Sequence, residues 1–483
     1  LWISRDFDGM GVIQFHVQRP DLLAKAGGCS MMDFVMYDGR IAPADVVLQG
    51  DRLICRRTLS ESGQFRLSWP RFSGGSQVVH STSLREQSEP YELELELARG
   101  QLSRLRNQFS IWHGSGLQSS ARLDELIRES HRSFRAAALR AEVPETSAAA
   151  AVLSMELSAQ AADTLCEHYV SQRIEFRRQR SSRIPVLMGC HLSQIPQQQS
   201  EFLRTFNAVQ VDTDWQAIER DEGVHDWSRV DSLVDWAQEH RLFVMGGPLL
   251  DLTQDRLPVW MRNWSRSRQN LQSFAADFVE TVLGRYQGRI RHWEVVTGGN
   301  RGGAFGMTEE ERISFISAVL QAVRGADDTV QVSLRVLQPW GEYLSEIPCS
   351  LSPVQFFDTL RRCGVRIGEI NLDLRLSQSR LHCLRRDALS LSQLIDHWSL
   401  FQVPLNVMIT VPPISGVNSE SQREDWLRSV LLMCLSKERV TGIWLSDWQN
   451  CTDGTDGSTL IGADGQPDSS LKLLQKLTRE LLW

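Results

Sequence analysis

Short apolar runs alternate with amphipathic segments eight times between Ile184 and Trp483, and this periodicity constrains the fold more than any other feature. The apolar runs are Ile184–Gly189, Ala208–Asp212, Leu242–Leu250, Ile290–Val296, Val330–Val336, Ile367–Asp373, Leu405–Val411 and Gly442–Ser446. They are short and rich in Val, Ile and Leu, as strands covered on both faces are. Between them, Val230–Glu239, Leu271–Gly284, Glu309–Arg324, Val354–Cys363, Leu389–Trp398 and Arg423–Cys434 show helical spacing, and Ser469–Leu482 follows the last strand. Parallel strands need helical crossovers, so eight such units predict an α/β fold of the (β/α)8 barrel (TIM barrel) type over 184–483.

The chain of 483 residues is too long for that barrel alone. Gly11–Val17, Asp33–Tyr37, Asp45–Leu48, Leu53–Arg57 and Gln64–Trp69 are short, alternating or β-branched, and separated by Gly, Asp and Ser. Such spacing predicts a small all-β, sandwich-like domain over 1–95. From Glu92 the period changes to three and four, with Leu102, Leu105, Phe109 and Trp112 and then Leu123, Leu126 and Phe134, and an Ala-rich helix spans Ser147–Arg173. The expectation for 96–183 is a helical connector packed beside the barrel.

A net charge of -7 argues against a nucleic-acid partner, whose phosphates call for a basic face. The basic run Arg173–Arg183 reads as a solvated helix end. The nine cysteines form no CxxC and no Cys/His cluster at metal spacing, so neither a structural metal nor a disulfide framework is expected, and a reducing, cytoplasmic compartment fits. No apolar stretch reaches the roughly 20 residues of a membrane span, and no signal-peptide pattern opens the sequence. The Gly-rich run Gly298–Gly303 lacks the Lys-Ser/Thr of a phosphate loop, so no nucleotide cofactor is expected. Oligomeric state is open.

Arg285–Asn300 (RYQGRIRHWEVVTGGN) resembles the fourth-strand segment of family 10 glycoside hydrolases, the xylanase-type barrels. Trp293, Val295 and Val296 match, with Thr297 at the family's sugar-binding Asn and Gly298 at its acid/base Glu. Other matches follow in order: Phe206-Asn207 through Trp215 and Gly223; Asp231, Trp236, Ala237 and His240; Leu257-Pro258-Val259-Trp260; Gly442 to Asp447; and Gly462 to Pro467. Gly247 stands at the family's His, Asp251 at its Trp, and Ile409 at the nucleophile Glu. The resemblance covers about 184–483. It implies a polysaccharide of xylan or another β-glycan type as partner, no cofactor, and a retaining mechanism that needs two carboxyl groups about 5 to 5.5 Å apart.

Neither Gly298 nor Ile409 can do that chemistry, so the resemblance implies catalytic impairment. Side chains at strand C-termini face the site of such a barrel, which makes Asp212, Asp251, Glu294 and Asp373 the substitute carboxylates to weigh, with Asp214 beside them. Glu294 is also a natural buried partner for Arg335. All but Trp2, Trp69 and Trp112 of the fifteen tryptophans lie beyond residue 200. Trp215, Trp260, Trp340, Trp444 and Trp448 fall near strand ends, where rings stack on sugars. With Asp251, Thr297, Gly298, Ile409 and Asp447 they make up the candidate substrate-binding set. His191 and His292 read as loop or core histidines. Three functions stay open: a sugar-binding barrel that has lost hydrolysis, an active glycosidase with relocated carboxylates, and a non-catalytic scaffold.

Overall fold

The computed structural model describes residues 11–25, 27–28, 32–37, 39–57, 60–72, 76–140, 142–253, 256–347, 349–375, 385–411, 420–446, 448, 460–461 and 466–482. The chain divides into two compact units, one of 1–180 with 341–348 and 378–393, the other of 181–340 with 349–377 and 394–483.

The second unit is the barrel. Its strands are Leu187–Leu192, Ala208–Val211, Phe243–Gly246, His292–Thr297, Gln331–Leu337, Glu369–Leu374, Leu405–Ile409 and Val440–Leu445, taken below as strands one to eight. Each pairs in parallel with the next, and strand eight closes onto strand one through Trp444 opposite Gly189. All eight sequence-expected strands are present, with ends shifted by a few residues. An extra two-residue strand, Leu250–Asp251, pairs with the end of strand four. Helices after the strands begin on side-chain caps: Thr308 and Ser352 each form a reciprocal capping box, with Glu311 and Gln355.

In the barrel interior Trp444 leans across to strand one, where Gly189 leaves it space. A Cβ on Gly189 would lie 2.2 Å from Trp444 Cε3. Ala208, Met245 and Met408 complete this apolar layer.

The first unit contains two four-stranded sheets. One pairs Ala44–Gln49, Arg52–Arg57, Gly11–His16 and Tyr91–Glu92; the other pairs Ile41–Ala42, Met32–Met36, Gly63–Pro70 and Ser76–Leu84. Ile13 and Phe15 from the first sheet and Phe34, Phe65 and Val79 from the second share one core. The helices Leu93–Gly114, Ala121–Leu139 and Pro144–Arg180 supply Leu97, Ala137, Ala151 and Met155 to that same core. The expected separate connector is thus part of the sheet unit: the Ala-rich face of the long helix is covered by the two helices before it and by the strands. Ser76–Leu84, hydroxyl-rich and without a strong alternation, was not visible as a strand.

The segments after strands five and six, 341–348 and 378–393, also count with the first unit. Arg386 Nη2 donates to Glu342 Oε1 at 2.6 Å, and Arg104 binds Asp387 through both terminal nitrogens, at 2.8 and 2.5 Å.

Two outcomes follow from this packing. Gly189→Val forces Trp444 from its place and should cost about 1–3 kcal/mol of stability, read as a lowered urea midpoint. Burial pushes the His80 imidazole of the first unit down to about 4 from its free value of 6.5. The neutral ring therefore contributes stability that is present above pH 6.5 and lost as pH falls towards 4. Comparing unfolding midpoints across that window, His80→Gln should show a flatter acid dependence than the parent chain.

Candidate functional site

In-register parallel pairing decides which side chains point into the barrel, because neighbours directly opposite share a face. Glu294 lies opposite Ser333 and Thr297 opposite Arg335. Arg335 lies opposite Asn371, and Leu337 opposite Asp373. Asn371 faces Asn406, and Asp373 faces Met408. Asn406 then faces Gly442, and Met408 faces Trp444. These residues form the inner face, and their hydrogen bonds run from strand to strand.

Arg335 is the hub. Its Nε lies 2.9 Å from Glu294 Oε1 and 3.0 Å from Oε2, its Nη2 donates to Gln210 Oε1 at 2.9 Å, and its Nη1 is 3.9 Å from Asp373 Oδ2. Glu294 is fully buried and also accepts from Asn371 Nδ2 at 2.6 Å. Asn406 Nδ2 donates to Asn371 Oδ1 at 2.9 Å and to Glu369 Oε2 at 3.0 Å, and His292 Nδ1 meets Glu369 Oε1 at 3.1 Å. Burial pushes the Glu294 carboxyl up, with Arg335 and Asn371 pulling the other way. Burial also works against the Arg335 charge, but Glu294, Asp373 and Asp251 outweigh it and hold the guanidinium protonated.

The remaining candidate carboxylates are each engaged nearby. Asp212 Oδ2 accepts from Arg229 at 2.9 Å, while its Oδ1 accepts from the Asp214 amide at 3.1 Å and lies 4.0 Å from His191 Nε2. Burial and the Asp212 charge raise Asp214. Burial lowers His191, against the pull of Asp212. Asp251, paired with Thr297, accepts both the Thr253 amide at 2.9 Å and its hydroxyl at 2.6 Å. Among the described residues no group of three His, Cys, Asp or Glu is arranged to hold a metal.

In the loop after strand four, a side chain at Gly298 would be crowded and its backbone strained. Its φ is +70°, and a Cβ there would lie 2.6 Å from Thr253 Cγ2 and 3.3 Å from Leu337 Cδ1. Gly247 is similar, with φ +122° and a Cβ position 2.3 Å from the Glu294 carbonyl oxygen. Asn300 is spent on strand five, donating to the Leu337 carbonyl at 2.8 Å and accepting its amide at 3.1 Å. Arg312 Nε donates to the Gly299 carbonyl at 2.9 Å, so the Gly-rich loop turns carbonyls to a cation already supplied by the chain.

Several site residues sit elsewhere than the sequence suggested. Ile409 pairs with Leu374 and Leu445 on the outer face of the sheet and is fully buried there, so it cannot contact a sugar in the barrel. The last inward residue of strand seven is Met408. Trp215 is stacked on Phe278 at 4.5 Å and donates to Glu219 Oε2 at 2.7 Å; Trp448 packs edge-on against Phe202 at 5.2 Å; Trp444 fills the barrel interior. All three are at most 2% exposed, which removes them as sugar platforms. Trp260, whose indole donates to the Glu219 carbonyl at 3.2 Å, and Trp340 keep partly exposed surfaces. Asp447 lies outside the described residues. Gln210, Asn371 and Asn406 were missed. A polar residue inside an otherwise apolar strand was the available signal.

Comparison with known proteins places this geometry. Residues 181–327, the first four strands and the helix after the fourth, match the model of Glycosyl hydrolase family 10. Endo-1,4-beta-xylanase 3 of Hypocrea jecorina is 32% identical over 124 residues, 24% of this chain and 34% of that enzyme. Endo-1,4-beta-xylanase 1 of Gibberella zeae is 29% identical over 122 residues, again 24% and 34%. The chain thus spans about a third of the length of these curated relatives. The solved endo-1,4-beta-xylanase XylE of Penicillium canescens superposes with a TM-score of 0.50 at 11% identity, over 65% of this chain and 98% of that one, a likeness of fold. Residues 181–327 are thus similar to family 10 glycosyl hydrolases.

The hub makes a testable demand. Arg335→Met leaves Glu294 buried without its counter-charge and should cost about 3–5 kcal/mol in urea unfolding. Glu294→Met combined with Arg335→Met should recover most of that loss.

Proposed function

We propose that this chain is a family 10-related carbohydrate-binding protein whose barrel has lost the retaining cleavage of β-glycans. The observation that carries the reading is the closed position at Gly298. Retaining hydrolysis needs a proton donor at one strand end and a nucleophile about 5 to 5.5 Å from it. The strand-four loop lacks the donor's side chain at Gly298, where one would be crowded and its backbone strained. Strand seven and the two residues after it, Leu405–Val411, carry no carboxyl group on either face. Of the substitute carboxylates weighed, Glu294 and Asp373 are engaged by Arg335, Asp212 by Arg229, and Asp251 by Thr253.

Binding asks for less than cleavage. A partly exposed indole offers a sugar its apolar face, and Trp260 and Trp340 are the candidates that retain one. The curated relatives are named as endo-1,4-beta-xylanases, which makes a xylan-type chain the first ligand to try.

Incubated with xylan and mixed-linkage glucan, the pure protein should release no reducing sugar above a heat-denatured control. In affinity electrophoresis on the same polymers it should be retarded, and Trp260→Ala with Trp340→Ala should weaken retardation about tenfold. Sugar release that disappears in Glu294→Gln or Asp251→Asn would overturn the reading in favour of relocated carboxylates. Absence of both release and retardation would leave the scaffold role.

A further inference from the structure

The first unit holds a cavity of about 410 Å³, lined by the strand Ser76–Leu84, the helix Leu93–Gly114, Gln64 and Gln393. The helix comes close to the strand because position 100 is glycine, where a Cβ would lie 1.9 Å from the His80 carbonyl oxygen. The volume falls within the range of about 300–1,000 Å³ typical of small-molecule sites.

Most of its lining residues carry polar side chains, but it offers no free charge. Arg104, the cation in the lining, is taken up by Asp387 and by Ser390 Oγ at 2.9 Å, and both members of the ion pair are more than nine-tenths buried. Although burial alone would raise Asp387, the Arg104 guanidinium holds its carboxyl well below the usual range, so the pair stays ionised and internally neutral. His80 Nδ1 meets the Ser81 carbonyl at 3.1 Å, which makes Nδ1 the donor and leaves Nε2 an acceptor in the neutral ring.

Around that neutral frame, the side chains of Gln64, Thr82, Ser83, Ser103 and Asn107 have no hydrogen bond to any described residue. Each supplies both donor and acceptor capacity. Ile111 is the one apolar side chain among the lining residues, and no Trp, Tyr or Phe ring is among them. A charged ligand would find no free counter-charge here. A neutral polyol would exchange water for the mixed donors and acceptors one for one.

We propose that this cavity binds a neutral saccharide of one or two rings, held by hydrogen bonds at its edges rather than by ring stacking. The site is independent of any glycan bound by the barrel.

The test uses the full chain with D-xylose and xylobiose as probes, and sodium glucuronate and inorganic phosphate as charged comparators. Saturation-transfer NMR and calorimetric titration should detect the two neutral sugars. Ser103→Trp, which fills the cavity from the helix, and Asn107→Leu, at an exposed position on its rim, should each weaken binding tenfold or more. The Trp260→Ala/Trp340→Ala barrel variant should leave that affinity unchanged. Neutral sugars that fail to bind would overturn the proposal, as would tighter binding of glucuronate or phosphate. An affinity unmoved by Asn107→Leu, which keeps the fold even if Ser103→Trp does not, would overturn it too.

Discussion

A single buried guanidinium governs the interior of the barrel. A charge taken out of water costs far more than one contact returns, so Arg335 persists only because Glu294, Gln210 and Asp373 meet it from three other strands. Glu294 is in turn fixed by Asn371, Asn371 by Asn406, and Asn406 by Glu369. The network crosses strands two, four, five, six and seven. It sets side-chain positions where an apolar core would tolerate many packings.

The same bonds hold the acidic groups in place. Glu294 is fixed by the arginine it neutralises and by Asn371. At strand four the backbone closes around glycine, and Thr253 from the preceding segment occupies the adjoining space.

The barrel's own connections have been drawn into a second structural context. The segments after strands five and six count with the N-terminal sheets and helices: Arg386 joins the two segments at Glu342, and Arg104 of the helix Leu93–Gly114 binds Asp387. Glu342, Arg386 and Asp387 are therefore held in ion pairs of low exposure, at positions where loops of such a barrel commonly vary for function. The tie to Asp387 also neutralises the wall of the cavity beside His80, so one interaction serves both anchoring and the character of that site.

Much of this could be read along the chain. Eight apolar runs separated by helical periods determined a parallel barrel, since buried strands need no polar face and parallel strands need crossovers. The lack of any acidic residue near Gly298 and within Leu405–Val411 was equally plain. Sequence alone did not orient the side chains. Strand period is two, and a register shift between Glu294 and Val296 brings Thr297 rather than Val296 opposite Arg335, while Ile409 turns outward. Nor could it separate a tryptophan on a cleft from one stacked under a helix, as Trp215 is on Phe278, because burial depends on residues distant in the chain. Local periodicity is carried by neighbouring residues, so it survives in one dimension; facing, burial and charge pairing exist only once distant strands are brought into register.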